Sequence, residues 1–328
     1  MKNKNSLSRL YFRFQQFGGI RLLIQYVRMG LLFKSVKQLI YVACDMKTLN
    51  KAYADLRTEI SQRLQSQFLP ILHNSKEKYS KQNLVHERSK KVWFCWFQGI
   101  DNAPEVVRIC YLNLQKYLID KEIIVITEES LPNYIELPDC IQEKYLSGVI
   151  PYAQYSDIVR LELLIRYGGS WVDSTVLCLG SDYPKEILDC DLFVFQKESN
   201  NGQFEGLSNW FITSCTNNQI LLILRDLLYE YWKRYNCLVD YFIFHNFFIM
   251  IAKEFPIEIG EMPKYPNKYP LMIVERLSEK YNEEIIGGIT ENCGFLKLTY
   301  RLKEEDKLQG TYYSQLMTLY SNNSNTDF

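Results

Sequence analysis

The chain has 328 residues, 47% hydrophobic and 14% aromatic, with 38 basic against 38 acidic side chains. That length supports one large or two modest domains with a buried core, and zero net charge argues against a dedicated nucleic-acid binder, which would carry a basic excess. No apolar run approaches the roughly eighteen residues that span a bilayer. The nine cysteines form no C-x-x-C pair and follow no signal peptide, so they read as reduced, mostly buried thiols of a cytoplasmic protein.

Residues 1–44 hold eight basic side chains (Lys2, Lys4, Arg9, Arg13, Arg21, Arg28, Lys34 and Lys37) and no acidic one. Apolar residues recur there at helical spacing: Leu7, Leu10, Tyr11 and Phe14, then, after a Gly18-Gly19 break, Ile20, Leu23, Ile24, Val27 and Leu31. Such a basic amphipathic pattern either lies on an anionic membrane surface or packs its stripe on the main domain. Residues 46–90 are polar and helix-favouring around Pro70, which predicts one or two helices and a linker.

Lys91 to Phe97 is a β-branched and aromatic run bounded by Gln98-Gly99, as expected of a buried strand. Pro104 opens a periodic helix (Val106, Val107, Cys110, Leu114, Tyr117), Glu122 to Thr127 predicts a second buried strand, 131–138 a loop and Ile141 to Leu146 a short helix. Strand, helix, strand at this spacing predicts a parallel α/β sheet beginning near residue 90. No G-x-G-x-x-G follows the first strand, which disfavours a dinucleotide, and the segment from Gln98 to Pro104 lacks the glycine- and lysine-rich loop of a nucleotidyltransferase.

Ala153 to Val176 carries the chemistry. Ser156 is placed to cap a helix with Asp157 in its first turn, Ile158, Leu161, Leu164 and Ile165 supply its buried stripe, and Arg160 stands three residues from Asp157 on a neighbouring face. Gly168-Gly169 ends the helix, and the strand that follows alternates Trp171, Asp173 and Thr175 on one side with Val172, Ser174 and Val176 on the other. An acid at a strand end is where an α/β protein meets ligands. Taken singly, Asp157 and Arg160 could form a surface ion pair and Asp173 a turn; their conjunction with an upstream βαβ unit favours a site. His245, after a helical run at Leu238 to Phe244, is either a metal or diphosphate ligand or a packed neighbour of Phe244 and Phe247, and Asp240 shares its segment. Lys297 and Arg301 sit in a strand-like run and read as solvated edge charges or phosphate contacts.

Ser156-Asp157-x-x-Arg160 with Gly168-Gly169-x-Trp171-x-Asp173 resembles the glycosyltransferase family 32 and capsular polysaccharide synthesis family. The resemblance extends to Val92 through Gly99, Pro104, Asn209-Trp210 and the Asp240–His245 segment, over roughly residues 90–300. It implies the GT-A fold: a Rossmann-like nucleotide-sugar domain with a mixed, mostly parallel sheet, preceded by N-terminal helices. Trp96 and Gln98 would then flank the nucleotide base and Asp157 the ribose. Arg160 would orient the acid cluster, and Gly169, Trp171 and Asp173 would complete the site. Asp157, Arg160 and Asp173 are the catalytic candidates, with Asn209, Trp210, Asp240 and His245 toward the acceptor or diphosphate. Asp173 and His245 would hold Mn2+ or Mg2+. The family's Asp-x-Asp motif reads Asp173-Ser174-Thr175 here, and a hard cation that loses a carboxylate loses affinity.

The resulting expectation is an N-terminal helical segment over 1–88, a catalytic domain over 89–320 and a disordered tail over 321–328. The function expected is transfer of a sugar from a nucleotide-diphosphate donor to a glycan acceptor, lipid-linked or not, in cell-surface polysaccharide synthesis. Retention of configuration is what the resemblance implies, and the location is cytoplasmic, peripheral at the inner membrane face. A catalytically degenerate scaffold of a polysaccharide-synthesis complex is the alternative, and Thr175 is the residue that favours it.

Overall fold

A computed structural model describes residues 19–31, 46–197 and 204–322. In chain order its elements begin with helices α1 (Gly19–Arg28) and α2 (Met46–Ser80), strand β1 (Lys91–Cys95), α3 (Glu105–Tyr117) and β2 (Glu122–Ile126). Then come α4 (Asp139–Leu146), α5 (Tyr152–Tyr167), β3 (Gly169–Val172), β4 (Val176–Cys178), β5 (Leu192–Gln196) and β6 (Leu207–Ser214). The chain continues through α6 (Gln219–Arg234), α7 (Ile243–Ala252), α8 (Pro256–Glu261), α9 (Glu283–Asn292), β7 (Phe295–Lys297) and α10 (Tyr312–Asn322). The last helix therefore includes Ser321 and Asn322, where a tail was expected; the rest of that tail and most of residues 1–44 lie outside the described residues.

The described residues form two compact units. One combines the described residues up to Asn83 with Leu137–Ile158 and Ile223–Glu254. It is helical, and α2 is its spine: Leu56, Ile60, Leu64, Phe68 and Leu72 recur every four residues and are all buried. Phe68 meets Phe247 of α7 at a 4.8 Å ring separation and Tyr231 of α6 at 6.3 Å. Ser75 and Tyr79 both donate to Asp226, at 3.0 and 2.9 Å. Pro70 lies inside α2 without ending it, so this is one helix where two were allowed for. In α1 the face of Ile20, Ile24 and Val27 is exposed, at 65%, 46% and 49%, while Tyr26 and Met29 are buried.

The second unit holds Leu84–Glu136, Val159–Leu222 and the described residues from Phe255. Its five-stranded sheet has the order β2-β1-β3-β6-β5. β1 pairs in parallel with β2 and β3, and β6 runs antiparallel between β3 and β5. This is the expected α/β architecture with a mixed, mostly parallel sheet. β1 buries Val92, Trp93 and Phe94 as its composition predicts, whereas β2 is only half-buried, since it is the edge strand with β1 as its one neighbour in the sheet. The chain leaves β1 for β2 on one side and returns as β3 on the other. β1 and β3 thus bound a topological switch point, where open α/β sheets form a crevice beyond the carboxyl ends of their strands.

Glycine sets the approach to that crevice. α5 ends at Tyr167, and Gly168 and Gly169 turn the chain with φ of 63° and 90°. A Cβ on Gly169 would come within 2.2 Å of the Lys91 carbonyl oxygen, so no other residue lets β3 lie this close to β1. The buried indole of Trp93 donates to the Gly168 carbonyl at 2.9 Å and pins the turn.

Two helix boundaries differ from the sequence expectation. α5 starts at Tyr152, directly after Pro151, a residue that loses no N–H at a helix start. Ser156 is therefore inside the helix rather than at its cap, and Asp157 is beyond the first turn. His245 is within α7 rather than after a helix, because the Asp240 carboxylate accepts from the Phe242 amide at 2.9 Å and turns the chain there.

Candidate active site

Asp173 is the first residue after β3, its amide donating to the Trp210 carbonyl on β6 at 2.9 Å. A tight turn returns Val176 N to Asp173 O at 3.0 Å and starts β4. The Asp173 side chain is 29% exposed and that of Arg160 only 5%. Asp173 Oδ1 accepts from the Trp171 indole at 2.9 Å and from Arg160 Nη2 at 3.3 Å, while Lys297 Nζ stands 3.7 Å from Oδ2. The Arg160 guanidinium lies 4.8 Å from the Trp171 ring centroid, a cation–π contact that holds both donors on the acid. The alternation read from the sequence is what brings Trp171 and Asp173 together, two residues apart on one side of an extended chain.

Lys297 arrives from elsewhere in the chain. β7 pairs antiparallel with β4, Lys297 opposite Val176, and Leu298 N donates to Thr175 O at 2.8 Å. That register sets the ammonium beside the Asp173–Val176 turn, where it donates to the Thr175 hydroxyl and approaches the Leu298 carbonyl at 3.4 Å. Read in the sequence as an edge charge or a phosphate contact, Lys297 has a side chain only 17% exposed. The signal for it was Thr175: where a second acid is missing beside a first, a neighbouring cation becomes admissible.

Trp96 follows β1, the strand beside β3, and its amide bonds Ile126 O at 3.0 Å. Its ring meets Tyr300 edge-on at 5.4 Å, and its indole N–H has no hydrogen-bond partner among the described residues. Gln98 is exposed on the same turn, with its carbonyl accepting from Asn102 at 3.1 Å. The Cys95 thiol, at the end of β1 next to Trp96, is pushed well up, first by burial and then by the Asp173 charge, so it is a neutral neighbour of the cluster and not a nucleophile.

The other sequence candidates fall differently. Asp157 is buried on α5, one turn before Arg160, and belongs to the helical unit. Gly169 is at the amino end of β3, the strand end remote from Asp173, and shapes the sheet rather than lining a ligand. Trp210 is buried and stacked on Phe195 at 5.0 Å, and Asn209 precedes it on β6. Asp240 commits one oxygen to its own turn and the other to Asn246 at 3.2 Å, with Arg57 at 3.7 Å. His245 belongs to the helical unit and lies against the rings of Phe242 and Phe244, at 5.2 and 6.0 Å.

These residues do not fit the divalent ion that the Asp-x-Asp resemblance suggested. Asp173 is already engaged by two cations and an indole, the second acid is a threonine bound to lysine, and among the described residues no three His, Cys, Asp or Glu side chains group as metal ligands.

Comparison with known proteins places this arrangement. An O-glycosyltransferase, PaGT, of Phomopsis amygdali is 29% identical over 97 residues, 26% of this chain and 24% of that protein, so the chain spans about a quarter of its length. A solved structure, the PaToxG glycosyltransferase, matches 78% of this chain and 96% of its own at 15% identity, with a TM-score of 0.38 that is too low to equate the folds. A family model described as capsular polysaccharide synthesis protein takes in residues 39–316 and with them the whole Asp173 cluster, Lys297 included. The chain belongs to the capsular polysaccharide synthesis protein family.

Proposed function

We propose that the chain is a glycosyltransferase that moves a sugar from a nucleotide-diphosphate donor to a glycan acceptor during cell-surface polysaccharide synthesis. The observation that carries this is Asp173, held by Arg160 and Trp171 at the carboxyl end of β3, at the switch point of strand order beside β1. A partly exposed acid fixed by a buried guanidinium is a preorganised charge, and preorganised charge at a crevice is what transfer chemistry uses. The unpartnered indole N–H of Trp96, at the end of the neighbouring strand, offers a donor to a ligand on that side.

In this reading Trp96 and Gln98 meet the base, and the basic side of the Asp173 cluster the diphosphate. The acceptor hydroxyl attacks the anomeric carbon, the bond to the diphosphate oxygen breaks, and the fixed charges offset the negative charge that builds on the leaving group. Retention of configuration is taken over from the family resemblance. Attachment to an anionic membrane surface belongs to the same proposal, supported by the acid-free residues 1–44 and the exposed Ile20, Ile24 and Val27 face of α1.

The test is release of nucleoside diphosphate from a panel of nucleotide sugars, with and without oligosaccharide acceptors. At least one donor should be turned over, and Asp173→Asn should not support it. A chain that turns over none while remaining folded and bound to other polysaccharide-synthesis proteins is the scaffold instead.

A further inference from the structure

We propose that Lys297 is the resident cation of this site: its ammonium, rather than a divalent metal ion, meets the diphosphate of the donor. The inference rests on the glycosyltransferase reading above and assigns the charge that reading needs.

Register is the first support. The antiparallel pairing of β7 with β4 sets Lys297 opposite Val176, and the Leu298 amide locks onto the Thr175 carbonyl at 2.8 Å. A strand pair fixes side-chain position far better than a loop does, so the ammonium is built into the turn that follows Asp173. Burial is the second. A lysine whose side chain is only 17% exposed needs local acceptors, and Lys297 has them in the Thr175 hydroxyl and the Leu298 carbonyl, with the Asp173 carboxylate at 3.7 Å. An ammonium carries three N–H donors. Two are directed at Thr175 and Leu298, and the third remains for an anion that enters beside Asp173.

Charge is the third support. A metal site of this kind sets two carboxylates toward a dication, which then bridges to phosphate. Here the second carboxylate position is Thr175, a neutral acceptor that suits an ammonium, and the single acid Asp173 faces both Arg160 and Lys297. With Arg160 and Lys297 both beside Asp173, the acid's charge is already met, which disfavours a dication there and leaves the ammonium to a diphosphate. The departure at Thr175 and the presence of Lys297 are therefore one exchange, a metal ligand for a lysine partner.

The experiment uses the full chain, inorganic pyrophosphate and Mn2+, with calorimetry for the first and electron paramagnetic resonance for free Mn2+. Pyrophosphate should bind in excess EDTA. Lys297→Met, which keeps the aliphatic stem, should weaken that binding roughly ten- to hundredfold, the worth of a hydrogen bond to a charged group, and Lys297→Arg should restore most of it. Mn2+ alone should find no saturable site on the unaltered chain, while Thr175→Asp combined with Lys297→Met should create one. Pyrophosphate binding that requires Mn2+, or tight Mn2+ binding lost in Asp173→Asn, overturns the assignment and leaves the transferase reading standing. Equal pyrophosphate affinity in Lys297→Met also overturns it. If pyrophosphate and every nucleoside diphosphate fail to bind with and without Mn2+, both the assignment and the transferase reading fall.

Discussion

Asp173 and Asp240 are both part-buried acids in segments that the sequence marks as functional, and their surroundings are opposite. Asp240 serves its own segment: it turns the chain into α7 through the Phe242 amide, holds Asn246, and meets Arg57, whose side chain is half exposed. Asp173 takes no local turn contact with its side chain. Its partners come from α5, from β3 and from β7, 124 residues along the chain at Lys297. An acid whose partners are its sequence neighbours is explained by folding. An acid on which three elements converge a guanidinium, an indole and an ammonium, and which stays open to solvent, is the stronger candidate for a site.

The largest effect that can break this contrast is on turnover. Asp173→Asn keeps the shape and the acceptor oxygen but removes the charge, and should lower turnover by roughly 10²- to 10³-fold with an unchanged melting temperature. Asp240→Ala should do the reverse, costing about 1 kcal/mol of stability, as capping-type contacts do, with turnover intact. Chemical denaturation and donor turnover on both variants decide the matter. If Asp240→Ala abolishes turnover at full stability, the contrast between the two acids is wrong.

A second effect concerns α1. Full-length protein should bind anionic vesicles at low salt and release them as salt rises, since each base near such a surface contributes on the order of 1 kcal/mol and is screened within a Debye length. Ile24→Asp, on the exposed face, should reduce vesicle binding without lowering stability. Lost stability with unchanged vesicle binding assigns that face to the protein's own packing.

The smallest effect is a slope in alkaline stability. Burial pushes the Cys110 and Cys178 thiols up to about 12 from an ordinary 9.0. Between those values the unfolded chain loses thiol protons that the folded chain keeps. Stability is thus complete below pH 9 and declines as pH rises toward 12. Cys110→Ala should flatten part of that decline in thermal melts, and a melting temperature constant across the interval contradicts the burial.

Much of the site was legible because it is local in sequence. The buried β1 run, the glycine turn and the Trp171–Asp173 alternation each follow from period and residue type, and they place Asp173 correctly at the strand end. What the chain does not show locally stayed open. Lys297, read as an edge charge or a phosphate contact, reaches Asp173 through the register of β4 with β7, a long-range pairing that no short window encodes. The start of α5 moved because Pro151 is a stronger beginning than Ser156. For His245 the sequence left two readings open, and the structure adds its contact with the Phe242 and Phe244 rings.

The central claim is that the crevice between β1 and β3 is where a nucleotide diphosphate binds, on the Asp173 cluster. The most direct measurement is a thermal-shift panel of nucleoside diphosphates and their sugars in excess EDTA, on the unaltered chain and on Arg160→Lys and Trp96→Phe. One base should stabilise the unaltered chain, by about 2.7 kcal/mol at a hundred times its Kd. The gain should shrink in Trp96→Phe, which lacks the indole donor, and in Arg160→Lys, which loses the guanidinium contact on Asp173. No stabilisation by any nucleotide, or the same stabilisation in all three proteins, contradicts the account.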